Sequence, residues 1–418
     1  MNETKLTARS SIRLLSLLCS AVYFSNYMAR LTFSTVVAEI VLSENTTKTA
    51  VSLVVMIQQI TYCSGQLLSG VLGDRLNPRR MITSGLLLGA LTNMVMPLVH
   101  STALMVVIWG CNGLALAMIW PPMVKILTNL LQIGDFQRVS VQVSIASMAA
   151  SMAIYLIAPL GILLGSWRYV FYFSALLTAA VAVIWNLWLP RLERLAVTVP
   201  VERAIHRDAE KGSAWKLLLS AELICIMLAI VFQGALRDGV ITWVPTYLVD
   251  TFGLNTSLSI FGSVVLPLFN IVSYWLVSII YRRWLRNELV FSALLFGGSA
   301  LAALILGLLP VSGPLAAVLL SAVVTACSNG VNLLLICMVP ARLARFGRAS
   351  TVSGTLNTCT HLGSALSSYG IAALAERCGW QMTILSWSLM ALAGLICCAA
   401  GMRRWKAYCW DTASAEKQ

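Results

Sequence analysis

Long apolar runs, separated by short polar or charged stretches, follow one another along the whole chain. Twelve of them are at least 18 residues long, at about 14–41, 50–73, 81–99, 103–131, 139–164, 168–189, 217–249, 257–280, 288–309, 313–340, 349–374 and 381–402. A helix of that length crosses the roughly 30 Å hydrocarbon layer of a membrane, so each run predicts one spanning helix. The division between the ninth and tenth rests on Pro310 and Pro314, since proline interrupts a helix. The pattern therefore predicts an all-α integral membrane protein of twelve transmembrane helices, with residues 1–13 as a polar, basic tail. Composition agrees: 59% of residues are hydrophobic and 11% charged, and the mean hydropathy is +0.83. A surface of that kind does not stay in water. The first run is far longer than the apolar core of a signal peptide, so no cleavable leader is expected.

The net charge of +13 raises the question of a nucleic-acid partner, and the distribution of the charges argues against one. With twelve spans and both termini on one side, that side holds most of the 29 Lys and Arg, including Arg75, Arg79 and Arg80 after the second span. The other side holds Lys48, Arg168 and Arg377, while Arg30, Lys125 and Arg237 fall inside spans. Such asymmetry is the positive-inside pattern, so the basic character reports topology. The expectation is a multi-pass protein of a bacterial inner membrane, both termini cytoplasmic, with the lipid bilayer and not nucleic acid as its surroundings. The eleven cysteines are scattered without metal-ligand spacing and read as small packing residues. No metal or cofactor is expected.

Charges inside the spans point to chemistry. A charged side chain at mid-membrane costs about 2.5 to 3.5 kcal/mol on insertion scales, and such residues mark substrate or ion paths. In the first span Tyr23, Tyr27 and Arg30 lie four and three residues apart, along one helix face. Two phenols and a guanidinium in a water-filled cavity suit an oxygen-rich anion; the alternative is a lipid-facing pair with a snorkelling arginine. In the seventh span Arg237 and Asp238 are followed by Gly239 and Pro245, residues that let a helix bend. Adjacent helical positions point about 100° apart, so Asp238 need not pair with Arg237; it reads equally as a candidate coupling-proton carrier and as a structural partner for another helix. Lys125 follows Trp120, Pro121 and Pro122 within a turn and is either a substrate contact or a lysine at the span's edge. His361 stands within the eleventh span as a site-lining or packing residue. Arg237 lies 207 positions after Arg30, close to half the chain, which suggests two similar halves: residues 1–195 and 212–418, joined by a charged cytoplasmic linker at 196–211.

The loop after the second span reads Gly70-Val-Leu-Gly-Asp74-Arg75-Leu-Asn-Pro-Arg79-Arg80. Gly, three residues, Asp-Arg and then basic residues resembles the signature loop of the major facilitator superfamily. The same offset of 207 takes Asp74, Arg75 and Arg79 to Tyr281, Arg282 and Arg286, a degenerate second copy. Within that superfamily the chain is most similar to the organophosphate:phosphate antiporters, the sugar-phosphate and glycerol-phosphate permeases. The matching residues are Tyr27, Arg30 and Phe33-Ser34; Tyr62, Gln66 and Asp74 to Arg79; Trp120-Pro121-Pro122; and Leu236-Arg237, Gly239, Trp243, Pro245 and Tyr247-Leu248. The resemblance implies two pseudo-symmetric six-helix halves and a monomeric secondary transporter, not an enzyme, that exchanges a sugar phosphate or glycerol phosphate for phosphate by alternating access. It implies Arg30 and Arg237 as phosphate ligands, Tyr23, Tyr27 and His361 as site lining, and Asp74, Arg75 and Arg79 as gating contacts. Leu31 and Gln66 stand where the family usually has lysine, which makes the site less positive. That keeps open a proton-coupled symporter of sugar acids or other carboxylates, and a transporter-like sensor of sugar phosphate.

Overall fold

A computed structural model of the chain describes residues 2–44, 46, 48–200, 220–253, 265–309, 313–343 and 349–415. Backbone contacts group the chain into two compact units, Met1–Val201 with Pro340–Thr358, and Glu202–Val339 with Cys359–Gln418. Each predicted apolar run contains a helix, although residues 257–264 of the eighth lie outside the described residues. Most of the predicted linker, from residue 201 on, lies outside them too.

The first unit is built from α1 (Arg9–Thr35), α2 (Val37–Ser43), α3 (Lys48–Arg75), α4 (Pro78–Val95), α5 (Thr102–Ala117), α6 (Trp120–Leu130), α7 (Ile133–Leu163) and α8 (Arg168–Arg194). Local chemistry explains several ends. Asn77 caps α4 by accepting from the amides of Arg79 and Arg80, with Pro78 at the first helical position, where its missing N–H is no loss. Pro121 and Pro122 cannot extend α5, so the predicted fourth span is two helices, with α6 restarting at Trp120. Helices α3 and α5 approach at glycine: a Cβ on Gly113 would meet Gln58, Thr61 and Tyr62, and one on Gly65 would meet Ala117. An aromatic cluster of Phe33, Trp109, Trp167 and Phe171 fills the core toward one end. There Glu44 receives Arg168 at 2.5 Å and His100 at 2.7 Å, and Trp167 donates to Ser43.

One departure from the all-helical expectation lies in the tail. Residues Asn2–Lys5 (β1) pair antiparallel with Val197–Pro200 (β2), so the basic N-terminus is docked. The Leu6 amide donates to Leu130 O at 2.8 Å and Lys5 Nζ to Thr128 O at 2.8 Å. Polar residues hid this strand in the sequence, because its partner lies almost 200 positions away.

The second unit holds α9 (Ala221–Phe252), α10 (Val265–Arg283), α11 (Glu288–Leu308), α12 (Pro314–Asn332) and most of α14 (Ala349–Ala415), while the short α13 (Val339–Leu343) falls almost wholly in the first unit. Gly379 (φ 79°) interrupts α14 and so separates the predicted eleventh and twelfth spans; that left-handed backbone suits glycine. A wider π-helical turn, Leu333–Met338, joins α12 to α13. Tyr274 bonds Asn329 and Asn332, so these asparagines tie α10 to α12 as expected of polar groups in lipid. Buried Glu288 accepts from Trp405 at 2.9 Å and from Tyr281. Ten helical stretches are long and apolar enough to cross a membrane among the described residues. Helix α3, with Gln58, Gln59 and Gln66, and the first part of α14, with Thr351, Asn357 and His361, are not among the ten.

Candidate functional site

In the first unit the predicted residues of α1 come together around Arg30. The arginine is buried, 8% exposed. Its guanidinium lies 3.9 Å from the centroid of the Tyr62 ring and 5.9 Å from that of Tyr27, a geometry that stabilises a cation where water is scarce. Its Nη2 donates to Gln59 Oε1 at 3.0 Å. Among the described residues no carboxylate pairs with Arg30, and its Nε has no hydrogen-bond acceptor. A buried guanidinium with an unused donor calls for an anion. Tyr23 packs edge-on against Tyr27, with ring centroids 5.2 Å apart, and tilted against Trp120 at 4.9 Å, so the two phenols and the arginine form one continuous face.

The backbone beneath that arginine is braced by residues that the sequence pattern did not single out. Gln58 donates to Arg30 O and to Asn112 Oδ1, both at 3.0 Å. Asn112 in turn donates to Thr92 at 2.8 Å, and Asn93 donates to Ala29 O at 3.1 Å. Three helices thus hold one turn of α1. The available signal was the dipeptide Gln58-Gln59 inside an apolar run, since amides in a membrane need partners.

Lys125, expected as a substrate contact, is placed elsewhere. Its Nζ donates to Gly73 O at 2.7 Å and to Asp74 O at 2.9 Å. From Tyr62 to Asp74 the helix rises about 18 Å, so this ammonium serves the end of α3 and not Arg30. The free carbonyls of a helix terminus attract a cation, and in this structure Lys125 satisfies two of them.

The predicted gating residues are distributed around the same end. Asp74 accepts from the amides of Ser350 at 3.1 Å and Thr351 at 3.0 Å, and from the Thr351 hydroxyl. It therefore caps the first turn of α14, where an anion is favoured. A Cβ on Gly354 would meet Gln66 O and Gly70, so the two helices touch through glycines. Arg79 reaches Asn186 O at 3.0 Å and pins the loop to α8, whereas Arg75 is exposed.

In the second unit Arg237, Asp238, His361 and Ser364 form a cluster. Arg237 grips Asp238 with two bonds, Nε to Oδ1 at 2.6 Å and Nη2 to Oδ2 at 2.9 Å. The long arginine side chain folds back across the 100° between neighbours, so the two adjacent residues do pair. Ser364 donates to the same carboxylate, and His361, one turn earlier on that face, lies within electrostatic reach of it. Through Ser364 the Asp238 carboxylate also contacts α14. The crossing is close because a Cβ on Gly234 would strike Thr360 O, and one on Gly363 would strike Val231 O.

Two further residues occupy equivalent places. Asn26 precedes Arg30 by one turn, and Gln233 precedes Arg237 by one turn, with the same offset of 207 between them. Both are fully buried, and neither amide has a hydrogen-bond partner among the described residues. Each unit therefore presents an arginine with an unsatisfied amide stacked one turn away.

Comparison with known proteins agrees with this picture. The Major Facilitator Superfamily profile matches residues 19–368. A glycerol-3-phosphate transporter of Bacillus subtilis is 26% identical over 291 residues, 64% of this chain and 65% of that protein. A probable hexose phosphate transport protein of Chlamydia muridarum is 37% identical over 70 residues, 17% of this chain and 15% of that protein. In both cases the match spans less than two thirds of the relative. Among solved structures, a proton:xylose symporter bound to 6-bromo-6-deoxy-D-glucose superposes with a TM-score of 0.74 at 12% identity, over 93% of this chain and 95% of that one. The fucose:proton symporter of E. coli does so with 0.71 at 13% identity, over 94% and 99%; at such identity these two establish the fold. With a twelve-run pattern, the Asp74 loop and a family match over most of its length, this chain belongs to the Major Facilitator Superfamily, as a multi-pass membrane transporter and not an enzyme.

Proposed function

We propose that this transporter moves a small organophosphate, such as a sugar phosphate or glycerol phosphate, in exchange for phosphate by alternating access. The observation that carries the reading is Arg30: a buried guanidinium without a carboxylate partner, stacked on Tyr62 and keeping one donor unused. A tetrahedral oxyanion matches the fork of arginine and offsets the charge. The glycerol phosphate and hexose phosphate transporters among the relatives support the same substrate class. Arg237 contributes once the anion displaces Asp238 from it, while Tyr23, Tyr27 and His361 line the path. The protein works as a monomer in a bacterial inner membrane with both termini in the cytoplasm.

A second reading rests on Asp238. A carboxylate inside a span marks an ion or proton path; once a bound anion draws Arg237 away, Asp238 loses the cation that keeps it ionised and can take up a proton, and the substrate would then be a carboxylate carried by proton symport. Liposomes loaded with phosphate separate the two. Uptake of labelled phosphate, competed by phosphate esters and indifferent to an imposed pH gradient, supports exchange. Uptake of a labelled sugar acid driven by external acid, with no phosphate exchange, would replace that reading with symport.

A further inference from the structure

The face that carries the N-terminus holds a second basic feature, far from Arg30. A cavity of about 530 Å³ lies between α1 and α7, lined by Arg9, Arg13 and Ser16 on one side and Asp135, Arg138 and Gln142 on the other. The spacing accounts for the groove. Arg9, Arg13 and Ser16 are four and three residues apart, as Asp135, Arg138 and Gln142 are three and four, so each set is a single stripe and the two stripes face each other. Ser16 donates to the Gln142 amide oxygen and closes the floor. Arg138 meets Asp135 at 3.7 Å, a loose pair with the arginine side chain 69% exposed. Arg9 and Arg13 have no carboxylate partner among the described residues. Three guanidinium groups thus share one carboxylate, and the space lies within the range of small-molecule sites, roughly 300 to 1,000 Å³.

Its level along the helices adds a second argument. Leu17, one turn beyond Arg13, is 68% exposed, and Ile133, at the start of α7, is 55% exposed. In a membrane protein such apolar side chains face lipid, so the groove sits where hydrocarbon gives way to headgroups and their phosphates. From Arg13 to Arg30 the helix rises about 25 Å, which separates this groove from the transport residues.

We propose that the groove is a separate anion site that takes a phosphate group through Arg9, Arg13 and Arg138, supplied by an anionic phospholipid headgroup or by free phosphate. A bound phosphate bridges the ends of α1 and α7 and offsets the repulsion among the three arginines.

Two measurements on the full-length protein test this and distinguish the source. In the first, protein in nanodiscs of phosphatidylcholine with phosphatidylglycerol is transferred to neutral detergent, and the retained phosphatidylglycerol is counted by native mass spectrometry. In the second, inorganic phosphate is titrated against the thermal unfolding midpoint in an Arg30→Ala background, which removes phosphate bound at the transport residues. The variants are Arg9→Gln with Arg13→Gln, and Arg138→Gln alone, each checked for an unchanged gel-filtration profile; Arg13→Lys serves as a charge-retaining control. Retention of phosphatidylglycerol that falls at least tenfold in both glutamine variants assigns a lipid headgroup. A phosphate-dependent rise in midpoint that persists in Arg30→Ala and disappears with the glutamine substitutions assigns free phosphate. Equal retention and equal phosphate response in all folded variants, or no response in the unsubstituted groove, would overturn the site. Because neither arm measures transport, the outcome is independent of whether the exchange reading holds.

Discussion

A single buried arginine without a counter-ion organises the chemistry of the first unit. Aromatic rings and one glutamine hold Arg30 ready while leaving hydrogen-bonding capacity unused. Replacement by alanine should therefore weaken substrate recognition and leave folding intact: phosphate exchange by Arg30→Ala is expected to fall roughly tenfold to a hundredfold, the weight of one hydrogen bond to a charged group. Normal exchange by the folded variant would remove Arg30 from the site. Arg237 differs because Asp238 already neutralises it. Converting Asp238→Asn unmasks that guanidinium, so KM for phosphate in liposomes should fall by about tenfold, corresponding to about 1.4 kcal/mol; a raised KM would instead mean that the carboxylate itself orients the arginine. Asn26 presents a third case. Its amide is buried and unpartnered, so Asn26→Leu should stabilise this conformation by about 1 kcal/mol, read as a higher unfolding temperature. Slower transport in that same variant would show that the amide finds its partner in another state of the cycle.

At the scale of elements, helix approach and helix capping are coupled at one place. Asp74 at the end of α3 caps the first turn of α14, and the glycines Gly70 and Gly354 let the two backbones come close enough for it. Loss of the cap in Asp74→Ala should cost about 1 kcal/mol, whereas Gly354→Val inserts a side chain where Gln66 O and Gly70 stand and should cost more. Thermal unfolding of both variants beside the parent checks this order; a Gly354→Val protein as stable as Asp74→Ala would mean the crossing is looser than its geometry. The loop was legible from local features: Asn77-Pro78 is a helix-start signal that caps α4, beside the fixed spacing of Gly70, Asp74 and the basic residues. The partner of Asp74 was not legible, since Ser350 and Thr351 lie some 276 positions away and carry no pattern that announces a helix start.

For the whole molecule, charge asymmetry predicts the orientation. The sequence pattern assigns most Lys and Arg to the side of the N-terminus and of the Arg75 to Arg80 loop, so a periplasm-dependent alkaline phosphatase fused after Gln418 is expected to be inactive, while the same enzyme fused within the loop near Lys48 is active. The opposite result would invert the topology. That face also holds the β1–β2 ribbon and the arginine groove between α1 and α7, neither of which the order of apolar runs announces.

The division between what was readable and what was not follows from the range of the interactions. Helix number and type, the buried charges at Arg30 and Arg237 and the signature loop are local properties, because a membrane imposes length and apolarity on every span separately. Those could be read from consecutive residues. The direction of Lys125 toward carbonyls of α3, the fold-back of Arg237 onto Asp238, the bracing of Arg30 by Gln58, Asn93 and Asn112, and the docking of the N-terminal strand depend on which helices become neighbours. A long polar side chain on a helix can reach several partners, and only packing decides which of them stands within hydrogen-bonding distance.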